Sequence, residues 1–234
     1  MVRCLSQAVK PVASVIIPAF GERSLLDKCL DALQCHTTDI EVIVIDNGMD
    51  WQDIKAVAVV HNPENKCYAV ACNQGSTLAH SDILVMLNMD TEVQPDWLSP
   101  LLAPFDDPEI AMTGPRIVHP DLSLQTSGII TWHGNGSAGG QEIKEDLPTR
   151  DVDGVTGACM VVRKSVYDAV GGMYSGYWAG NEDVDLCLTI REAGYRIRYC
   201  AQSQVTHIEG ASGAARWVRV HENVALLNQR WGNR

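Results

Sequence analysis

The 234-residue sequence has no long apolar run. Stretches such as Ile83 to Leu87 fall far short of the roughly 20 residues that a membrane-spanning helix needs. Basic side chains are also few. Eighteen Lys+Arg against 29 Asp+Glu leave a net charge of −11, which excludes a broad electrostatic grip on nucleic acid or anionic lipid. Arg3 and Lys10 enclose no continuous apolar core, so no secretory signal is expected. No Cys-x-x-Cys pair or zinc-like Cys/His spacing exists among eight scattered cysteines, which read as buried free thiols of a reducing cytoplasm. No P-loop and no Gly-x-Gly-x-x-Gly follows an early strand, which removes kinase and dehydrogenase chemistry. What remains is 46% apolar, 20% charged and 6% aromatic, the balance of an ordinary globular chain: one sizeable α/β domain, or at most two small ones.

The first half alternates β-branched runs with amphipathic stretches. Ser14 to Ile17, Glu41 to Ile45, Val57 to Val60 and Ile83 to Leu87 read as strands. Leu25, Leu26, Cys29, Leu30 and Leu33 recur at helical spacing behind Ser24 as N-cap, and Tyr68 to Ala79 reads as a second helix. Such alternation predicts a mostly parallel sheet flanked by helices, with ligands beyond the carboxyl ends of its strands. Pro18, Asp46 and Asn88 to Asp90 fall at that edge. Later, a helix begins at Asp96 and runs toward Phe105, while Gly134 to Gly140 and the polar stretch to Arg150 read as a loop. Val155 to Val162 and Arg196 to Tyr199 read as strands, Asp183 to Ala193 and Val218 to Leu227 as helices. No repeat or linker divides the chain.

Three polar clusters have two readings each. Asn88-Met89-Asp90, at a strand end, could hold a divalent cation or simply form a turn. Glu182-Asp183-Val184-Asp185 could supply a general base beside an aromatic, glycine-flexed pocket, or merely complement a helix dipole. His207 could be a metal ligand or a hydrogen-bonded loop histidine.

Taken in order, these segments say more. Ser14-Val-Ile-Ile-Pro18, Glu41 to Gly48, Asn65 to Gly75, Leu87-Asn-Met-Asp-Thr91, Val155 to Arg163, Gly171-Gly172, Glu182 to Leu188 and Ala193 to Arg196 follow one another. The series, over about residues 12 to 232, resembles the inverting glycosyltransferases of family 2, of rhamnosyltransferase-like, polysaccharide-biosynthesis type, with the GT-A nucleotide-diphospho-sugar fold. The resemblance implies a single GT-A catalytic domain over 1–234, with a nucleotide-sugar-binding half (1–95) and an acceptor-binding and catalytic half (96–234). Pro18, Ala19 and Phe20 would line the nucleotide pocket, and Asp46 would meet the base or ribose. Asn73 would lie near the nucleotide and Asn88 would face the donor's ribose or sugar. Asp90 and His207 would hold Mn²⁺ or Mg²⁺. Asp183 would be the catalytic base, with Trp178, Asn181 and Glu182 on the acceptor side. The implied reaction moves a hexosyl or deoxyhexosyl group from a UDP-, dTDP- or GDP-linked donor to a glycan, lipid-linked or protein acceptor, with inversion. A degenerate nucleotide-sugar or glycan-binding module is the alternative. A glycoside hydrolase would need two carboxylates opposed across a sugar, which adjacent Glu182 and Asp183 do not provide. The phosphate loop of a nucleotidyltransferase is missing from Pro18-Ala19-Phe20-Gly21-Glu22.

Departures from the family pattern accompany the likeness. Cys67 stands where a glycine is usual, Asn88 where the first aspartate of Asp-x-Asp is usual, and Tyr174-Ser175 where an Asp-Glu pair is usual. The sequence ends soon after Trp231, which favours a single-addition transferase over a processive synthase. A cytoplasmic location is expected, peripheral at the inner face of the membrane if Arg216, Trp217, Arg219 and Arg230 touch it; a solvated helix face is the other reading of those residues. Charge is also uneven: 11 basic and 26 acidic residues lie in 1–190, but 7 and 3 in 191–234. This asymmetry predicts an acidic, metal-holding body and a basic end that closes over the diphosphate.

Overall fold

A computed structural model describes residues 10–56, 58–208 and 218–234. Val57, Arg216, Trp217 and the N-terminal Arg3 and Cys4 lie outside these. The strands β1 (Ala13–Ala19), β2 (Ile40–Asn47), β3 (Ala58–Asn62) and β4 (Ile83–Leu87) are interleaved with helices α1 (Arg23–His36) and α2 (Tyr68–Leu78). There follow β5 (Thr91–Val93), α3 (Ser99–Leu102), β6 (Ile110–Val118), β7 (Leu124–Thr126), β8 (Ile129–Gly134), β9 (Ser137–Glu142), β10 (Arg150–Val152) and β11 (Cys159–Arg163). The last elements are α4 (Lys164–Ala169), α5 (Glu182–Glu192), β12 (Arg196–His207) and α6 (Val220–Trp231).

The main sheet runs β10-β12-β6-β11-β4-β1-β2-β3. β3, β2, β1 and β4 are parallel neighbours, as are β6 and β12, while β11 is antiparallel to both of its neighbours. The predicted mostly parallel α/β sheet is therefore observed. Its strands are apolar on both faces because both faces are covered. Val15, Ile17, Val44 and Val85 pack on Leu26, Cys29, Leu30 and Leu33 of α1. Ile16, Ile43, Leu84 and Met86 face the opposite layer, with Ala71 and Cys72 of α2 and Leu186 and Ile190 of α5. A smaller cluster seats Leu227 and Trp231 of α6 against Val184 and Leu188 of α5 and Ala138 of β9.

Several expectations change. Ser24 is not the cap of α1; Glu22 holds that position, and the Ser24 hydroxyl donates to its carboxylate. The helix expected from Asp96 shrinks to α3 and a 3₁₀ turn at 103–106, with prolines at Pro100 and Pro104. Gly134 to Gly140 is not a loop: it forms the turn and second strand of the β8–β9 hairpin. Its glycines hid the strand because the partners need their space. A Cβ on Gly139 would lie 2.3 Å from the Trp132 ring, and one on Gly140 2.7 Å from Val184. The strand expected from Val155 starts only at Cys159, and the one expected to stop at Tyr199 continues to His207.

The seven described cysteines are free, five of them buried. Burial pushes the thiols of Cys29, Cys187 and Cys200 up to about 12, so they behave as small apolar groups. Among the described residues no helix is long and apolar enough to cross a membrane.

Candidate active site

A cavity of about 490 Å³ opens beyond the carboxyl ends of β1 and β4. Pro18, Ala19 and Phe20 from the end of β1 line it, as do Asn88 and Asp90 after β4. The β5–β12 pairing adds His207, because that register sets it opposite Thr91, the residue after Asp90. His207 Nε2 lies 3.3 Å from Asp90 Oδ1 and 3.5 Å from Asn88 Nδ2. Both Asp90 and His207 are buried. The other ring nitrogen, Nδ1, donates to Gln125 Oε1 at 3.0 Å, which fixes the ring with Nε2 toward Asp90. A histidine ligand whose second nitrogen is held by a carbonyl is the usual arrangement at metal sites.

The cavity's other side is built by the start of α5. Trp178, Asn181, Glu182 and Asp183 line it. Asp183 sits in the first helical turn, where a carboxylate complements the helix dipole. Its Oδ2 accepts from the Gly157 N–H at 3.0 Å and its Oδ1 from the Val184 N–H at 2.8 Å. The Tyr68 hydroxyl donates at 2.7 Å to the carbonyl of the same Gly157. Tyr68, Gly157 and Asp183 thus form one chain, fixing the carboxylate from behind. Thr156, Gly157 and Ala158 lie off the sheet for this reason: the stretch expected as strand is cavity wall.

Two expected residues stand elsewhere. Asp46 is fully buried and does not line the cavity. Its oxygens accept from the Met49 N–H (2.9 Å) and Trp51 N–H (2.7 Å), and Oδ2 pairs with His61 Nδ1 (2.9 Å), so it shapes the turn after β2. Its neighbour Asn47 is the residue that reaches the cavity. Asn73 is likewise outside. Its Nδ2 donates to the Met173 carbonyl at 2.8 Å, and its Oδ1 accepts from the Tyr167 hydroxyl and the Met173 N–H, which joins α2 to the 167–173 segment.

The sequence did not single out Gln125, Gly157 or Asn223 as site residues. None carries chemistry of its own: Gln125 and Asn223 lie outside every motif, and Gly157 lies in the Val155 to Arg163 motif without a side chain to mark it; they matter through what they hold. Asn65, Cys67 and Tyr68 also line the cavity, and their motif was visible.

The predicted basic end falls partly outside the described residues, Arg216 among them. Each described arginine after residue 190 pairs with a carboxylate: Arg191 with Asp153, Arg196 with Asp107 and Asp151, Arg198 with Asp151, Arg219 with Glu222, Arg230 with Asp185 and Arg234 with Glu192. These charges mostly knit the chain together rather than face a diphosphate. Arg230, expected at a surface, is packed on the Tyr174 ring at 3.6 Å and bonded to buried Asp185. Only Arg219 among the six touches a cavity residue, stacking 4.9 Å over Trp178.

Comparison with known proteins bears on the family and the fold. The family model described as Glycosyl transferase family 2 matches residues 14–171. The chain is 32% identical over 204 residues to the pre-mycofactocin glycosyltransferase of Mycobacterium tuberculosis, covering 83% of this chain and 42% of that protein. It is 28% identical over 230 residues to the O-antigen biosynthesis protein RfbC of Myxococcus xanthus, covering 88% and 18%. The chain therefore spans less than half the length of these curated relatives. Among solved structures it resembles GalNAc-T7, crystallised with UDP, GalNAc and Mn²⁺, with a TM-score of 0.70 at 18% identity, over 84% of this chain and 43% of that one. That likeness shows the fold, the expected GT-A arrangement.

Proposed function

The chain belongs to glycosyl transferase family 2, and on that premise we propose that it moves a sugar from a nucleotide-diphosphate donor to a hydroxyl acceptor in a single inverting displacement. The observation that carries this reading is the shared cavity: Asp90 and His207 line it together with Asp183. The nucleotide half is 1–95 and the acceptor half 96–234, with His207 reaching back from the second half to Asp90.

The donor set fits a divalent cation. One carboxylate oxygen and one imidazole nitrogen converge at 3.3 Å, and among the described residues no group of three or more His, Cys, Asp or Glu offers a closed cage. Two protein ligands leave coordination positions for phosphate oxygens and water, the common pattern for Mg²⁺ and Mn²⁺ at phosphate sites. The imidazole favours Mn²⁺ over Mg²⁺, which prefers oxygen alone. Held by Asp90 and His207, the cation would supply Lewis-acid neutralisation of the charge that grows on the departing nucleoside diphosphate. The structural relative GalNAc-T7 was crystallised with Mn²⁺, in support.

The remaining steps use this chain's own groups. Pro18, Ala19, Phe20 and Asn47 would cradle the nucleoside, and Asn88 would orient the ribose or sugar. Asp183, held by two N–H donors, would accept the proton of the acceptor hydroxyl as its oxygen attacks the anomeric carbon from the face opposite the leaving group. General-base assistance of this kind contributes about 10²–10⁴-fold. Trp178, Asn181 and Glu182 would form the acceptor wall. The transferred group is hexosyl or deoxyhexosyl, and the relation to RfbC supports a role in polysaccharide biosynthesis.

The test incubates the protein with Mn²⁺ and a panel of UDP-, GDP- and dTDP-sugars with glycan and lipid-linked acceptors, following nucleotide release and product mass. Release coupled to product is expected. Donor binding with no transfer to any acceptor would make the chain a binding module instead.

A further inference from the structure

We infer that Asn223, on α6, is a positioning residue for the acceptor, holding the 176–181 loop in register with the base on α5. The inference rests on the transferase reading above. The loop presents Trp178 and Asn181 to the cavity and runs directly into Glu182 and Asp183. Its backbone does not hold this path unaided. Gly180 (φ +91°) and Asn181 (φ +72°) are consecutive left-handed residues, and the second carries a cost even for asparagine, which bears it better than other residues with a Cβ. Such a conformation persists only where its surroundings fix it.

Asn223 provides that fixing. It is 3% exposed, and its side-chain amide grips both ends of one short stretch of backbone. Oδ1 accepts from the Trp178 N–H at 3.2 Å and Nδ2 donates to the Ala179 carbonyl at 2.6 Å. Helix α6 is itself anchored to α5. The Arg230 guanidinium bonds both oxygens of Asp185, at 2.6 and 3.1 Å, and Trp231 Nε1 donates to Oδ2 at 2.9 Å. Tyr177 of the loop donates its hydroxyl to the same Oδ2 at 2.8 Å. Asp185, two residues after the base, therefore sets where α6 stands, and Asn223 transmits that placement to Trp178 and Ala179. A loosened clamp would displace the acceptor wall while leaving the Asp90–His207 side, at the β4–β5 junction and the end of β12, in place.

The experiment measures wild type, Asn223→Ala and Asn223→Asp with a donor and acceptor that the wild type uses. Acceptor KM, donor KM and the ratio of donor hydrolysis by water to transfer are compared. Misplacement of about 1 Å costs on the order of 100-fold, so acceptor kcat/KM should fall by about 10–100-fold. Donor KM should hold, and hydrolysis should gain on transfer. Asn223→Asp keeps the shape and the Trp178 bond but sets a carboxylate oxygen against the Ala179 carbonyl, so it should show the same split in a fold that melts lower than wild type. An unchanged hydrolysis-to-transfer ratio in a folded variant would overturn the inference while leaving the transferase reading intact. Loss of folding in both variants would assign Asn223 to the core and overturn the positioning role. A wild type that releases no nucleotide from any donor would overturn the transferase reading, and the inference with it.

Discussion

Replacing Cys67 with glycine is expected to stabilise the protein even though a side chain is lost. Cys67 lies just before α2 with φ 63° and ψ 166°. This region is essentially reserved for glycine, and a residue with a Cβ held there costs about 1–3 kcal/mol. The surroundings enforce the conformation. The Cys67 N–H donates to Asn65 Oδ1 at 2.9 Å, and its carbonyl accepts from Asn47 Nδ2 at 3.4 Å and from the Ala71 N–H at 3.2 Å. Glycine keeps all three bonds and removes the strain. Its greater freedom in the unfolded chain offsets about 0.5–1 kcal/mol, leaving roughly 1 kcal/mol in its favour. For a chain of this size that raises the melting temperature by about 2–4 °C. Cys67→Ala is the control, because it deletes the thiol but keeps the Cβ and hence the strain. Calorimetric and urea melts of the three proteins should rank glycine above cysteine, with alanine at or below cysteine. A glycine variant less stable than the alanine variant would refute the reasoning.

Two further substitutions probe the sheet. Gly75→Ala on α2 would bring a Cβ to 2.3 Å from Ile16 Cγ2 on β1, so overpacking should cost about 1–3 kcal/mol in urea melts; an unchanged midpoint would contradict the close packing of α2 on the strand. Burial pushes the Glu41 carboxyl up, but hydrogen bonds from the Ser14 hydroxyl and from the His80 N–H and ring outweigh it and leave the group below its ordinary value. A carboxyl depressed in this way stabilises the fold above the ordinary glutamate range of about pH 4.3, and the gain disappears as pH falls through the lower folded value. Wild type should therefore exceed Glu41→Gln in stability at neutral pH, with the gap closing below about pH 4; a gap that persists to the lowest pH would contradict the assignment.

Elements with strong hydrophobic periods were legible in the sequence. β1, β2, β4, α1, α2 and α5 all form near their expected positions, because burial on two faces writes itself into apolar spacing. The β8–β9 hairpin was not legible, since Gly139 and Gly140 carry no side chains to alternate. The site divides along similar lines. Asn88, Asp90 and Asp183 belong to ordered motifs, Trp178 and His207 were implied by the family resemblance, and all five meet in one cavity. Asp46 and Asn73 belong to the same motifs, yet spend their hydrogen bonds on the fold. A motif specifies a residue type at a strand or helix end, and it does not separate a group facing a ligand from one fixing the backbone beside it. The pairing of the arginines in the last 44 residues was not legible for a related reason: it depends on partners distant in sequence, such as Asp107 or Asp151 for Arg196.

The central claim is that Asp183 takes the acceptor's proton while other residues bind the donor. Asp183→Asn keeps the shape of the side chain, and its carbonyl oxygen can still accept from Gly157 or Val184. The most direct measurement compares donor affinity, by calorimetry with Mn²⁺, and single-turnover transfer in wild type and Asp183→Asn. Transfer should fall by about 10²–10⁴-fold with donor affinity preserved. Transfer near the wild-type rate, or a loss of donor affinity equal to the loss of rate, would contradict the assignment.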